Sequence, residues 1–299
     1  MGVEARVVLW APSEAVAREA AAAAFARVDA LEASWSHWRA DSELSRLLAR
    51  GPGAAVPVSE DLFRILARSL ELARASDGAF DVTIGPAVEV VRARGRIEGA
   101  AARGELRDAL ERVDWRAVEL DPAARTARLT RPDMAIDLGG IGKGAACTAA
   151  LEVLEGRGLP RALVELGGDL AVGEPPPGKT GWTVRADPRE LELAHRAVAS
   201  SGWYVEVVSD TGEPASAVLD PSTAAGLRLV TARRVWTAVA RDGATADGLA
   251  TIANVVAEER ARRIFADVDP TARLYVHPPA DPAPADPASP DPAPEETDR

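Results

Sequence analysis

The stretch Asp137-Leu-Gly-Gly-Ile-Gly-Lys-Gly144 decides how this chain reads. Four glycines fall within six residues, behind an apolar stretch and ahead of an alanine-rich run. The pattern describes extended chain turning tightly into a helix, predicted over residues 144–156 with Ala146, Ala150, Val153 and Leu154 facing inward. Glycines let a backbone approach a ligand closely, and a helix N-terminus offers free N–H groups to an anion, so the turn suits a diphosphate. It is neither a phosphate-cradling loop ending in Gly-Lys-Ser/Thr nor a GxGxxG dinucleotide turn. By itself it reads equally as a ligand site and as a structural turn.

On the N-terminal side, residues 3–10 predict a strand. Residues 13–33 predict a long helix with Ser13 as its N-cap. Ser59 caps another helix, whose Leu62, Ile65, Leu66 and Leu70 recur at helical spacing and which Gly78 stops. On the C-terminal side, short β-rich runs predict strands at 162–166, 182–185, 203–208 and 235–240. Helices at 245–256 and 258–266 and a strand at 273–276 close the body. Helices and strands do not alternate regularly, so the expected class is α+β, with one domain over residues 1–277. Residues 278–299 hold eight of the 22 prolines, six acids and one base. That composition cannot build a core, and a disordered acidic Pro/Ala-rich tail is expected.

Composition excludes several functions. The 299 residues carry a net charge of −11 without a basic block, which argues against nonspecific nucleic-acid binding. One cysteine, Cys147, permits neither an intrachain disulfide nor a cysteine-based zinc cluster. The three histidines, His37, His195 and His277, are widely scattered. No apolar run approaches the roughly 20 residues of a membrane span. The first ten residues lack the basic and apolar regions of a signal peptide, so a cytoplasmic location is expected. Lys143 and Lys179 are the only lysines against 33 arginines, a bias that reads as a GC-rich genome.

Three further segments carry chemistry. Leu163-Val-Glu-Leu-Gly-Gly-Asp169 reads as a strand, a Gly-Gly turn and an acid. Gly78-Ala-Phe-Asp-Val-Thr-Ile-Gly-Pro86 places Phe80, a core or ligand residue, beside Asp81, which either caps a turn or meets a ligand. In Ala246-Asp-Gly-Leu-Ala-Thr251, Asp247 and Thr251 stand four apart on one helical face. Two oxygen side chains so placed suit Mg²⁺. The structural alternative has Asp247 favoured by the helix N-terminus and Thr251 bonding back to the i−4 carbonyl.

Together and in this order the segments resemble the ApbE family of FAD:protein FMN transferases. Ser36-His-Trp-Arg-Ala-Asp-Ser-Glu-Leu-Ser45 and Ala197-Val-Ala-Ser-Ser-Gly202 add to the resemblance, which covers nearly all of residues 1–277. It implies an α+β fold of the T-fold kind that binds FAD and Mg²⁺. The implied reaction moves FMN from FAD onto a threonine or serine of an acceptor protein and releases AMP. The implied metal ligands are the Asp247 and Thr251 side chains and the Gly142 carbonyl. The implied FAD contacts are Met1, Trp38, Ala79, Phe80, Asp81, Gly139, Ala145 and Leu219. Asp247 and Asp169 are the candidate catalytic carboxylates.

The sequence departs from the family's His-x-Ile/Leu-Asp-Pro-x-Thr-Gly segment, reading Ala217-Val-Leu-Asp-Pro-Ser-Thr-Ala224. The missing histidine is a candidate base for the acceptor hydroxyl, and losing such a group typically costs about 10²–10⁴ in rate. Asp169 or a metal-bound water is a possible replacement, as are His37 and His195 if the fold brings them close. Ala145 stands for a common tyrosine and Thr148 for a common aspartate. The alternatives are an FAD-binding protein without turnover and an Mg²⁺-dependent hydrolase giving FMN and AMP. Asp242-Gly-Ala-Thr245 resembles a flavinylation acceptor, but Thr245 is expected to cap the helix that follows.

Overall fold

Alternation along the central strands sets the architecture. The computed structural model describes residues 2–94, 99–186, 189–202, 207–208, 214–221, 227–229 and 234–277. The expected tail, 278–299, and Met1 lie outside the described residues. In chain order the first elements are β1 (Ala5–Leu9), α1 (Glu14–Trp35), α2 (Glu43–Ala49), β2 (Val56–Pro57), α3 (Glu60–Ala75), α4 (Gly85–Arg94) and α5 (Gly99–Leu110). Then come β3 (Val118–Asp121), β4 (Thr126–Leu129), α6 (Gly142–Gly156), β5 (Ala162–Leu166), β6 (Asp169–Val172), β7 (Trp182–Ala186), β8 (Arg189–Leu193) and β9 (Arg196–Ser201). The last are β10 (Val207–Val208), β11 (Pro214–Leu219), β12 (Leu227–Leu229), β13 (Val235–Ala240), α7 (Gly243–Val255), α8 (Glu258–Val268) and β14 (Arg273–His277).

The main sheet runs β1-β5-β6-β9-β13-β14, and every neighbouring pair in it is antiparallel. Its two faces differ in side-chain size. Val164, Leu166, Ala171, Ala197, Ala199, Ala238 and Ala240 join the cluster formed with the helices. Leu163, Leu170, Val172, Val198 and Val239 point the other way and pack with Trp182 and Val184 of the β7–β8 hairpin. Successive side chains on a strand leave opposite faces, so this pattern is the period of two made visible. The helix-facing side is largely alanine, and α6 and α7 lie against it.

Helix α7 is apolar around most of its circumference, and Leu249, Ala250, Ile252 and Ala253 are fully buried. A helix with that pattern belongs inside. It sits between the sheet and helices α3, α6 and α8. Helix α1 covers α6 with Ala20, Ala24, Val28, Leu31 and Trp35, spaced by three or four residues. Ser13, Ser42 and Ser59 cap α1, α2 and α3 by accepting the N–H three residues on.

Two glycines set how closely α6 and α7 approach. A β-carbon on Gly144 would lie 2.1 Å from the Gly243 carbonyl oxygen, and one on Gly243 would lie 1.8 Å from that of Gly144. Backbone touches backbone there, and neither helix can carry a side chain at the crossing. Gly167 and Gly168 have φ of +55° and +91° and close the two-residue turn between β5 and β6. Glycine is the residue that takes two such angles in succession without strain.

The α+β reading holds, and the differences are local. Helix α6 starts at Gly142, two residues earlier than predicted, and Val153 and Leu70 are half-buried rather than fully inside. Of the strand predicted at 203–208, the described part is β10. Helices α2, α4 and α5 escape the sequence reading because α2 is seven residues long, α4 opens on Gly-Pro and α5 carries few large apolar residues. Strand β9 escapes because its alanines and serines carry no β-forming signature. Helix α7 is capped by Asp242, which accepts the Thr245 N–H at 2.8 Å, and not by Thr245 as expected.

The α6–α7 contact predicts a directional result. Gly144→Ala or Gly243→Ala should destabilise the fold by about 1–3 kcal/mol, the usual range for overpacking. Glycine-to-alanine at half-buried Gly104, which has open space around it inside α5, should be neutral or stabilising. Urea unfolding of the three variants measures the difference.

Candidate active site

Two loops, helix α4 and the ends of β9 and β11 enclose a cavity of about 460 Å³. That size lies within the range of small-molecule sites, about 300–1,000 Å³. Its walls come from Ala79–Val82, from α4 through Val88, Val91 and Arg92, from the glycine loop at Asp137, Gly139 and Gly140, and from Val218, Leu219 and Pro221. Its floor is polar: Lys143, Ser200, Asp247 and Thr251. The two loops run side by side because Asp137 N–H donates to the Val82 carbonyl at 2.7 Å and Ile84 bridges Ala135.

Lys143 of the floor is held by two buried carboxylates, of which only Asp247 lines the cavity. Asp169, at the head of β6, is 2 % exposed, and Asp247, in the second turn of α7, is 5 % exposed. Lys143 Nζ lies 2.7 Å from Asp169 Oδ2 and 3.5 Å from Asp247 Oδ2. The shorter contact is an ion pair whose angles fall outside hydrogen-bond geometry, so Asp169 Oδ2 has no aligned donor. Asp169 Oδ1 accepts the Ser200 N–H at 3.4 Å, and Asp247 Oδ2 accepts the Gly144 N–H at 3.2 Å. Burial, and then the charge of Asp247, push the Asp169 carboxyl up to about 8. Burial works against the charge on Lys143, but the two carboxylates outweigh it and hold the ammonium above the ordinary lysine range.

These residues fit a divalent cation. Two buried acids face a single ammonium, so the site can exchange a proton for further positive charge, and one of the acid oxygens has no aligned partner. The Thr251 hydroxyl donates to the Gly140 carbonyl at 3.3 Å, not to the i−4 carbonyl of its own helix. Thr251 therefore faces the glycine loop across the cavity floor. Among the described residues no group of three His, Cys, Asp or Glu side chains could hold a metal. The donors present are carboxylate, hydroxyl and backbone carbonyl, the hard-oxygen set that suits Mg²⁺.

The structure brings most of the expected residues together. Ala79, Phe80, Asp81, Gly139, Leu219, Asp247 and Thr251 all line the cavity. Gly142 opens α6 just below it, its N–H bonded to the Leu138 carbonyl at 2.8 Å. Asp81 is mostly occupied in shaping its own loop: Oδ1 accepts from the Thr83 N–H and hydroxyl, and Oδ2 from the Trp115 N–H. Burial still pushes its carboxyl above the ordinary range. Trp38 stands at the rim, 58 % exposed, with the Arg92 guanidinium 4.4 Å from its ring centre. Ala145 lines a different depression, with Trp35 and Arg68. Met1 lies outside the described residues.

Of the two histidines weighed as replacement bases, His37 comes near. Its Nε2 is 3.8 Å from Asp137 Oδ2, and Asp137 lines the cavity. His195 sits in the turn between β8 and β9, its N–H on the Gly173 carbonyl. Thr245 is fully buried, donating to Asp242 at 2.6 Å and accepting from Arg68 at 2.7 Å, so in the folded chain it is no acceptor for a flavin.

Sequence reasoning missed Lys143, Ser200 and Arg92 as site residues. Lys143 stood inside the quoted glycine stretch, and its being one of two lysines was read as compositional bias. Ser200 and Ser201 lie in the quoted 197–202 segment, at the cavity end of β9. Arg92 gave no signal, because α4 itself was not predicted.

A model of the ApbE family matches residues 1–275. The chain belongs to the ApbE family. A relative from Haemophilus influenzae named FAD:protein FMN transferase is 28% identical, over 78% of this chain and 71% of its own. One of the same name from Klebsiella pneumoniae is 28% identical, over 89% and 79%. The crystal structure of the ApbE protein from Thermotoga maritima superposes with a TM-score of 0.75 at 28% identity, covering 92% of this chain and 91% of that one. The flavin transferase ApbE from Vibrio cholerae shares the fold, with a TM-score of 0.76 at 24% identity over 92% and 89%. The relatives' names make this a transferase family. No helix among the described residues is long and apolar enough to cross a membrane.

Cys147 reports on this site from behind. It is fully buried, and its Sγ donates to the Asp169 carbonyl at 3.3 Å. Burial, with Asp169 and Asp247 adding to it, pushes the thiol well above its ordinary range. Iodoacetamide should therefore leave the native protein unlabelled and modify this single cysteine only on unfolding, which intact-mass measurement will show.

Proposed function

We propose that this chain transfers FMN from FAD to a threonine or serine hydroxyl of an acceptor protein, releasing AMP, with Mg²⁺ required. The observation that carries the reading is the cavity floor, where Lys143, Asp247 and Thr251 converge below an apolar wall and Asp169 holds Lys143 from behind. The family membership and the relatives' names support it.

In this reading the apolar wall of Phe80, Val88, Val91 and Leu219 takes the flavin, and Trp38 offers a ring face at the rim. The glycine loop lets the pyrophosphate approach the backbone. Asp247, Thr251 and the Gly142 carbonyl would hold Mg²⁺, which supplies charge neutralisation on the pyrophosphate as a Lewis acid. The acceptor hydroxyl attacks the phosphorus on the riboflavin side. A new O–P bond forms, the bond from that phosphorus to the bridging oxygen breaks, and AMP leaves with that oxygen. The hydroxyl proton passes to a carboxylate, and Asp169, which lies behind Lys143 at 2.7 Å, is assigned that role. Residues 1–277 are the proposed catalytic unit and 278–299 an appended segment. FAD and an acceptor flavoprotein are the proposed partners.

A second reading rests on Ala217, which stands where the family has histidine. Without that group FAD would be held and not transferred, or cleaved by water to FMN and AMP.

The test is intact-mass spectrometry of a threonine-acceptor domain after incubation with this protein, FAD and Mg²⁺, with AMP followed in parallel. An FMN-sized adduct on the acceptor with equimolar AMP is expected. Asp247→Ala should lower both by about 100-fold or more, since a metal contributes several kcal/mol to such a transition state. AMP without adduct would select the hydrolase, and bound FAD with neither product the binding protein.

A further inference from the structure

Lys143 is bound into the site more tightly than a lysine at a cavity floor needs to be. Its ammonium is shared by two acids from different elements, β6 and α7, while 29% of its side chain remains open to the cavity. Neither acid has enough other support. Beyond Lys143, each acid side chain accepts one long backbone N–H bond, 3.4 Å to Asp169 and 3.2 Å to Asp247. Two buried acids with that little compensation can both hold charge only with a cation between them. The ammonium is therefore placed where a metal at Asp247 and Thr251 also needs to draw on the Asp247 carboxylate.

We propose that Lys143 is a built-in counter-cation that occupies the carboxylate pair in the metal-free protein and competes with Mg²⁺ for Asp247. When the metal engages Asp247, Nζ gives up its 3.5 Å contact and keeps its 2.7 Å contact with Asp169. The ammonium is then free on its cavity side to take a phosphate oxygen of the nucleotide, as a lysine does as a point charge. The device keeps the empty floor from repelling itself open and delivers a second positive charge only once the first has arrived. It rests on the Mg²⁺-dependent reading above and adds to it a role for a residue that reading leaves out.

Two measurements test it, neither of which reads turnover. The first is Mg²⁺ titration by calorimetry of the wild type, Lys143→Met and Lys143→Arg. Removing a competing charge a few ångströms from the metal should tighten Mg²⁺ binding by about tenfold or more in Lys143→Met. Lys143→Arg, which keeps the charge, should stay near the wild type. Equal or weaker binding by Lys143→Met overturns the proposal and leaves the metal reading standing. Absence of Mg²⁺ binding in all three overturns both.

The second uses the wild-type chain alone and is immune to misfolding of a variant. Lys143 and exposed Lys179 are the only lysines, so pulse acetylation read by mass spectrometry reports on each by name. Mg²⁺ should raise the labelling of Lys143 severalfold and leave Lys179 unchanged. Adding AMP with Mg²⁺ should lower Lys143 labelling again. Unchanged labelling of Lys143 on adding Mg²⁺ overturns the competition, and failure of AMP to protect it overturns the phosphate contact.

Discussion

Two backbones meet without side chains between them at Gly144 and Gly243, and the geometry of the site follows from that contact. Gly144 lies in the first turn of α6 and Gly243 opens α7, so the crossing fixes one helix start against the other. Lys143, one residue from the contact, is thereby set within reach of Asp247, one turn along α7. The Gly144 N–H itself donates to Asp247, which ties the crossing to the acid it positions. The alanine-rich face of the sheet completes the arrangement, since β9 and β13 admit α7 closely where larger residues would hold it away. The tight β5–β6 turn then brings Asp169 to the same point from the sheet side. A site with three charged groups from three elements is held by small residues rather than by large ones.

That close packing has an electrostatic consequence. Carboxylates at 2 % and 5 % exposure have lost most of their water, and the protein returns only part of it as N–H donors. The imbalance is local and directional: negative charge at the floor, apolar walls above, an arginine and a tryptophan at the rim. A cation and a phosphate-bearing ligand with a flat aromatic end are complementary to that sequence of environments. Under the transferase reading, FAD with Mg²⁺ matches each of the three.

Much of this was legible in the sequence, and the reasons differ by element. Helix α3 declared itself through apolar periodicity and a serine cap, and α1 through a long alanine-rich run behind Ser13. The Gly-Gly pair before Asp169 was visible, and it makes the turn that was read there. Phe80, read as either core or ligand residue, is core and cavity wall together. What stayed hidden depends on distance in space. Thr251 bonding to Gly140 instead of to its own helix is a tertiary fact. So is the selection of His37 over His195 as the histidine beside a cavity residue, and so is the facing of Ala145 into another depression. Lys143 was hidden for a different reason: a rare residue in an arginine-rich chain looks like composition until its partners are seen.

The measurement closest to the central claim is a crystal structure of the protein with FAD and Mn²⁺ in place of Mg²⁺, using the anomalous signal of manganese. The account predicts a Mn²⁺ peak at coordination distance, about 2.1 Å, from an Asp247 oxygen and the Thr251 hydroxyl, with the FAD pyrophosphate against it and the flavin along Phe80 and Leu219. A metal peak elsewhere, or FAD bound with its pyrophosphate away from the start of α7, would contradict it.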